Sequence, residues 1–195
     1  MNSSVIKIEK YLVSSEIIDF DDIDVANRAK QLAGGTTLEV AQRCFEWVRD
    51  EIDHSNDIGA QQLTCNASEV LRKGHGLCYA KSHLLAALLR ANAIPTGFGY
   101  QRLYDDAGDY MLHGYNMIHI GEQGWYRVDA RGNKPGVDAQ FMPPREQLAW
   151  RGDGPGECDY RINLAEPLPQ LVRVLHSGLT VAEAWSFFPK SVPMG

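Results

Sequence analysis

The pattern of hydrophobic and polar positions changes character near the middle of the chain. Before Pro95, apolar residues recur at the three- and four-residue spacing of a helix. This spacing predicts three helices, over residues 25–33, 37–52 and 67–71. Residues able to cap them stand at their starts: Asp24, Thr36 or Thr37, and Asn66. A further helix begins at Cys78 and ends before Pro95, because a proline cannot donate to the helical hydrogen-bond ladder.

After Pro95 the pattern becomes strand-like. Residues 96–104, 110–120 and 125–130 are rich in β-branched and aromatic side chains, and polar or glycine-containing turns separate them. We expect these runs to form consecutive antiparallel strands. Helices followed by strands predict an α+β fold in which the N-terminal helices, including the cysteine helix, pack on an antiparallel sheet.

The two ends of the chain carry weaker patterns. Residues 5–20 alternate only in part and predict an edge strand or an extended arm, with an acidic turn at 19–24. Glycine and proline recur after residue 131, so the expected elements there are short. They are three helices and one strand, over residues 144–150, 170–176, 181–188 and 159–164. We predict a single domain over residues 1–195, with a core at about 20–132 and a C-terminal helical extension at about 133–195.

The charge and the distribution of apolar residues argue against some classes of partner. The net charge is −6 and the pI is about 5.5, and no basic run or stripe occurs, which argues against a nucleic-acid partner. No apolar run is long enough to span a membrane. The N-terminus lacks the basic-then-apolar order of a signal peptide. We therefore expect a cytoplasmic protein with no membrane partner.

The cysteines could hold a metal or act as thiols. The chain has four of them, Cys44, Cys65, Cys78 and Cys158. In a reducing compartment we expect free thiols. His75 and Cys78 have a spacing seen in zinc sites, with Cys65 and His83 as possible companions. However, His83 lies more than a full turn beyond Cys78 on the same helix and points elsewhere. We therefore predict no metal ion and no other cofactor.

Cys78 is the leading candidate for a nucleophile. It follows a loop containing Gly74 and Gly76 and starts a helix, where unpaired backbone N–H groups and the helix dipole favour a thiolate. The two glycines allow backbone and substrate to approach the sulfur. The alternative is a small buried residue at a helix start, which describes most free cysteines.

The strand region offers a base and an acid. His113 and His119 lie on one predicted strand, and Asp129 lies on the next. Side chains alternate between the two faces of a sheet. Asp129 therefore lies on the same face as the histidines only if the numbers of any two residues that face each other across the hairpin add up to an even value. A sum of 244 places Tyr115 opposite Asp129 and puts His113 on the diagonal, within side-chain reach. His119 then lies near the turn, so His113 is the better partner.

Other polar and aromatic residues have weaker signals. The backbone N–H of Cys78 is a natural donor to an oxyanion, and Gln61 or Gln62 could supply a second one. The remaining histidines, His54, His75, His83 and His176, are expected at the surface or in loops. Three tryptophans, Trp47, Trp150 and Trp185, are expected in the core or in groove walls.

Three sequence blocks resemble the transglutaminase-like superfamily. The first runs from Ala67-Ser68-Glu69-Val70-Leu71-Arg72 through Gly76-Leu77-Cys78 to Ile94-Pro95. The second and third are His113-Gly114-Tyr115 and Trp125-Tyr126-Arg127-Val128-Asp129, in the order that the family shows. The resemblance implies a papain-like α+β core with Cys78 as nucleophile, His113 as base and Asp129 as the acid that orients it.

The activity implied by this resemblance is cysteine-dependent acyl transfer. A peptide or protein amide would form a thioester with Cys78, and water or an amine would then complete hydrolysis or transamidation. No Asp-x-Asp-x-Asp-Gly loop is present, so calcium activation is not indicated. The alternative function is a catalytically silent binding or scaffold module on the same fold.

Overall fold

The computed structural model describes residues 8–104 and 108–193. Its helices are α1 (Ile23–Leu32), α2 (Thr37–Glu51), α3 (Ala67–Lys73), α4 (Cys78–Ala91), α5 (Pro169–Leu175) and α6 (Val181–Ala184). Its strands are β1 (Asp53–His54), β2 (His75–Gly76), β3 (Thr96–Tyr104), β4 (Tyr110–His119), β5 (Trp125–Val128), β6 (Gln140–Met142), β7 (Arg145–Gln147) and β8 (Cys158–Asp159). Among these helices, none is long and apolar enough to cross a membrane.

The largest sheet of the described structure is antiparallel and has four strands. Its strand order is β5-β4-β3-β8, so β3 and β4 lie at its centre. Strands β1 and β2 form a small parallel pair, and β6 and β7 form a small antiparallel pair. The helices α1, α2 and α3 pack on α4, which in turn packs on β3 and β4. The predicted α+β arrangement of helices on an antiparallel sheet is therefore confirmed.

Helix α4 is the centre of this packing. Every residue from Cys78 to Arg90 is buried, including polar ones, as expected for a helix enclosed on all sides. The polar side chains are satisfied by carbonyls: Ser82 Oγ donates to Tyr79 O at 2.6 Å, and His83 Nδ1 lies 2.8 Å from Cys65 O. Asn116 on β4 donates to Ser82 O at 3.0 Å, which joins the helix to the sheet.

Lys81 on α4 stabilises the end of a neighbouring helix. Its ammonium group donates to the carbonyl oxygens of Arg49 and Ile52, which lie at the C-terminal end of α2. The last carbonyls of a helix have no partners within that helix, so a cation placed there satisfies both hydrogen bonding and the dipole. Burial is the main cause that lowers the pKa of Lys81 to about 7, followed by Arg131.

Arg90, at the other end of α4, joins two segments distant in the sequence to the core. Its guanidinium donates to Thr96 O at 2.9 and 3.1 Å and to Val13 O at 2.8 Å. It also donates to Ala165 O and lies 3.5 Å from Glu166. One buried side chain therefore fixes the N-terminal segment, the start of β3 and the segment that follows β8.

The predicted helix starts agree with the structure in most cases. Thr36 caps α2 in a reciprocal capping box with Glu39. Thr180 and Glu183 form the same motif at α6. The start of α1 differs from the prediction, because Asp22 rather than Asp24 is the N-cap. Helix α6 ends at Ala184, four residues earlier than the predicted end.

Three other predictions were wrong in part or in whole. Residues 144–150 were expected to be helical but contain β7, which pairs with β6. The segment 8–20 contains no strand in the described structure, and residues 5–7 and 105–107 of the predicted arm and turn lie outside the described residues. The strand expected over 159–164 is reduced to β8 and an isolated bridge between Phe98 and Leu164.

Candidate active site

Cys78 stands at the N-terminal end of α4 and borders a cavity. The parallel pair β1–β2 holds the segment that leads into the helix. Leu77, the N-cap residue, has an apolar side chain that cannot accept from the first helical N–H groups. Cys78 is 5% exposed and lines a cavity of about 420 Å³, here called the Cys78 cavity. The N-terminal end of α4 thus borders the Cys78 cavity.

The hairpin of β4 and β5 supplies the histidine and the aspartate. Met117 lies opposite Arg127 and His119 opposite Trp125, which confirms the predicted register with a sum of 244. In this register Asp129, directly after β5, reaches the imidazole of His113. His113 Nε2 lies 2.7 Å from Asp129 Oδ2.

The Asp129 carboxylate is held from three directions. Besides His113, it accepts from the backbone N–H groups of Arg131 at 3.1 Å and Ala149 at 3.0 Å. Burial alone would raise the pKa of Asp129, but His113 and these hydrogen bonds outweigh burial and lower it. The residue therefore stays a carboxylate, with one oxygen fixed on the imidazole.

The second nitrogen of the His113 ring is the one left for Cys78. Because Nε2 donates to Asp129, Nδ1 is the nitrogen that can exchange a proton with the thiol. Burial disfavours the charged ring, but Asp129 and then Cys78 favour it more strongly, and the pKa of His113 rises to about 10. The edge of the ring packs on Trp150 with centroids 4.8 Å apart. The imidazole is thus fixed, basic and close to the thiol.

The walls of the Cys78 cavity combine aromatic and cationic side chains. Beyond Cys78 and His113, they are formed by His54, Asn56, Leu103, Tyr104, Met111, Arg131, Lys134, Trp150, Glu157 and Trp185. The expectation that Trp150 and Trp185 form groove walls is confirmed. Arg131 lies over the Trp150 ring at 5.6 Å and forms an ion pair with Asp57. This ion pair ties the loop after β1 to the segment after Asp129.

Several other sequence expectations are corrected by the structure. Gln61 and Gln62 line a different cavity, beside Leu175, and are not placed to act on Cys78. His54 and His83 were expected at the surface or in loops, but both are buried. His54 also lines the Cys78 cavity. Sequence analysis missed it because β1 has only two residues and shows no periodicity. His119 packs on Trp125 near the turn, at the opposite end of β4 from Tyr110.

The possible zinc ligands are engaged elsewhere. His75 Nδ1 lies 3.1 Å from Ser55 Oγ, and His83 Nδ1 bonds to a backbone carbonyl. All four cysteines are free thiols. Over residues 8–104 and 108–193, no group of three or more His, Cys, Asp or Glu side chains is arranged to hold a metal ion.

Fold and site together define a class of protein. A cysteine at the start of an enclosed helix, with a histidine and an aspartate at neighbouring antiparallel strands, is the arrangement of the papain-like α+β folds. The family model described as the transglutaminase-like superfamily matches residues 25–130, more than half of the chain. The chain therefore belongs to the transglutaminase-like superfamily.

Comparison with solved structures identifies one with the same fold and a second with more limited similarity. A provisionally assigned cysteine protease from Cytophaga hutchinsonii is 18% identical, with a TM-score of 0.54, over 67% of this chain and 43% of that one. The periplasmic domain of TgpA from Pseudomonas aeruginosa, bound to ethylmercury, is 20% identical, with a TM-score of 0.45, over 62% of this chain and 46% of that one. The chain thus spans less than half the length of either structure. No curated protein sequence matches it.

Proposed function

We propose that this protein is a cysteine-dependent acyl-transfer enzyme acting on peptide or protein amides. The observation that carries the proposal is the position of His113: Asp129 holds Nε2 at 2.7 Å, and the ring lines the same cavity as Cys78. A buried basic nitrogen beside a thiol is the pairing that activates a cysteine. Membership of the superfamily supports the same chemistry.

In the proposed mechanism, the thiol proton already lies on His113 Nδ1, because the pKa of this ring is about 10, and the Cys78 thiolate attacks the amide carbonyl carbon. The carbon–sulfur bond forms, and the π electrons of the carbonyl move to oxygen. When this intermediate collapses, the carbon–nitrogen bond breaks and the leaving amine takes the proton from His113. Water or a second amine then gives its proton to Nδ1 and attacks the thioester. When the second intermediate collapses, the carbon–sulfur bond breaks and releases the free acid or a new amide, and the Cys78 sulfur and protonated His113 are restored.

Selective alkylation tests the nucleophile. Limited treatment with iodoacetamide at neutral pH, followed by peptide mapping, should label Cys78 first. Cys44 and Cys65 are fully buried, and burial raises the pKa of each thiol to about 12, so they should remain unlabelled in the folded protein. Cys158 is half-buried, so it is the internal reference for a thiol outside the site that the reagent can reach. Equal labelling of Cys78 and Cys158 would contradict the proposal.

Turnover separates an enzyme from a binding module. The wild type should form an acyl-enzyme with p-nitrophenyl acetate, seen as a mass increase on Cys78, and should cleave or transamidate members of a panel of peptides that includes glutamine-containing ones. Cys78→Ala should do neither while keeping its circular dichroism spectrum. Labelling of Cys78 without any acylation or turnover would favour the silent binding module.

A further inference from the structure

His54 stands next to the backbone that carries the nucleophile. It belongs to the parallel pair β1–β2, in which His54 lies opposite Gly76, two residues before Cys78. Gly76 has little space around it, since a Cβ there would lie 3.0 Å from Ala80 Cβ and 3.2 Å from Thr64 Oγ1. The close backbone pairing brings the imidazole into the wall of the Cys78 cavity.

The His54 side chain is buried and incompletely satisfied. The residue is 8% exposed, and its Nδ1 is buried with no hydrogen-bond partner in the part of the chain that the structure describes. Nδ1 is enclosed by the protein, and leaving it without a partner costs stability. Nε2 is then the nitrogen through which the ring can meet a ligand in the cavity.

The surroundings keep this ring neutral. Burial, and next the Arg131 guanidinium, lower the pKa of His54 to about 3, with smaller contributions in the same direction from Lys81 and His113. Asp57 acts in the opposite direction, but its carboxylate is engaged by Arg131 and by Lys134 at 2.9 Å. A neutral imidazole carries one proton. Because an orphaned buried N–H is rarer than an orphaned acceptor, the proton belongs on Nε2.

We propose that His54 is a further catalytic residue, whose Nε2–H donates a hydrogen bond to the oxyanion formed when Cys78 attacks a carbonyl. The second donor is the Cys78 backbone N–H, which has no acceptor within α4 because Cys78 is the first residue of the helix. The inference rests on the proposed acyl-transfer function. His54 keeps its proton throughout: negative charge accumulates on the oxygen as the carbon–sulfur bond forms. An electron pair of that oxygen then re-forms the C=O π bond as the carbon–nitrogen bond breaks and the amine takes the proton from His113.

Two reactions of the same sulfur distinguish this role from others. Acylation by p-nitrophenyl acetate passes through an oxyanion, whereas alkylation by iodoacetamide displaces iodide and forms none. His54→Phe removes the donor and keeps a ring of similar size. The acylation rate of this variant should fall by about 10²–10³-fold, while its alkylation rate should stay within about threefold of wild type. His54→Gln restores an N–H donor and should recover part of the acylation rate.

Two further variants serve as controls for the acylation and alkylation rates. His113→Ala should slow both reactions, because it removes the base. His119→Ala should change neither, because His119 packs on Trp125 near the turn. Thermal unfolding by circular dichroism verifies that each variant is folded, and if His54→Phe does not fold, the comparison rests on His54→Gln and His54→Asn.

The possible results distinguish a failure of the proposed role of His54 from a failure of the proposed acyl-transfer function. Unchanged acylation in a folded His54→Phe variant would overturn the role of His54 while leaving the proposed function standing. An equal loss of both rates would also overturn it, since His54 would then support the thiol and not the oxyanion. Wild type that alkylates at Cys78 but never acylates would overturn the proposed function itself, and this inference with it.

Discussion

The two nitrogens of His113 face different chemistry because of one carboxylate. Asp129 accepts from Nε2 and is itself fixed by two backbone N–H groups, so the tautomer of the ring is set before any substrate arrives. The same carboxylate is the largest of the groups that raise the pKa of His113 against the effect of burial. Orientation and basicity therefore depend on the same residue.

Replacing Asp129 by Asn should separate these effects. The variant loses the negative charge that favours the protonated ring, so the pKa of His113 should fall from about 10 towards or below its ordinary value of about 6.5. NMR titration of the imidazole resonances measures this directly. Amide turnover should fall by up to about 10⁴-fold, and its alkaline limb should move to lower pH because the leaving amine loses its proton donor earlier. An unchanged His113 titration would contradict the argument.

At the scale of single residues, the sequence predicts a contact only where a regular pattern, such as strand alternation, links the two residues. Pleat parity connects His113 with Asp129 and excludes an odd register, and the structure has the predicted pairing. The backbone N–H of Ala149 that also holds Asp129 comes from a coil segment twenty residues further on, and no periodicity joins the two. His54 was missed for a related reason: its position depends on a two-residue parallel pair.

At the scale of elements, a single lysine links two helices. Lys81 lies inside the molecule because the end of α2 needs donors for the Arg49 and Ile52 carbonyls. Its hydrocarbon stem belongs to the buried surface of α4, and its ammonium group acts as the missing cap. The helix that carries Cys78 therefore also fixes where α2 ends.

Lys81→Met should destabilise the protein. The variant retains an unbranched side chain but leaves the two carbonyls without this donor, which should lower the free energy of unfolding by about 1–3 kcal/mol in urea titrations. Lys30→Met, at an exposed position in the last turn of α1, is the matched control and should change it by less than about 0.5 kcal/mol. Equal effects of the two substitutions would show that the buried cap contributes nothing.

The pH dependence of the stability of Lys81→Met provides a second test. Between the folded pKa of about 7 and the usual 10.5, the unfolded chain binds more protons at Lys81, so this group makes wild-type stability rise with pH. His113 acts in the opposite direction, because its folded pKa of about 10 exceeds the usual 6.5. The stability of Lys81→Met should therefore fall more steeply with pH than that of wild type between about pH 7 and 10.

Elements that the sequence predicted well are long and strongly periodic. Helix α2 and strands β3 and β4 have nearly the expected bounds. The error at β7 concerns three residues whose conformation depends on distant partners: they pair with β6, and Arg145 O accepts from Tyr126 Oη at 2.6 Å. Local propensity contains no record of such partners. Nor does apolar spacing reveal that α4 is enclosed on every side.

At the scale of the whole molecule, Arg90 connects segments on both sides of the region that matches the family. Val13 lies before that region, and Ala165 lies after it. The single domain predicted over residues 1–195 stays a prediction. These contacts give it a physical basis, because the outer segments share buried hydrogen bonds with α4.

One cooperative transition is the expected behaviour. Thermal unfolding followed by far-ultraviolet circular dichroism and by tryptophan fluorescence should give coincident curves, since helices and tryptophan-lined walls would unfold together. Arg90→Met should lower the free energy of unfolding by about 3 kcal/mol or more, because several carbonyls lose a charged donor at once. Arg173→Met, in the last turn of α5, serves as a surface comparison. Two separated transitions in wild type would argue for independent units.

The enclosure of α4 has a consequence for how such a protein can diversify. Amide protons of an enclosed helix should be among the last to exchange with solvent. The Cys78 sulfur therefore belongs to a part of the molecule that rarely unfolds locally. The walls opposite it, at Tyr104, Trp150 and Trp185, belong to a strand end and to segments outside long elements. Residues in such segments can be substituted one at a time without disturbing α4. Under the proposed function, new substrates would be accommodated by changes in these walls, while the Cys78 sulfur keeps its position.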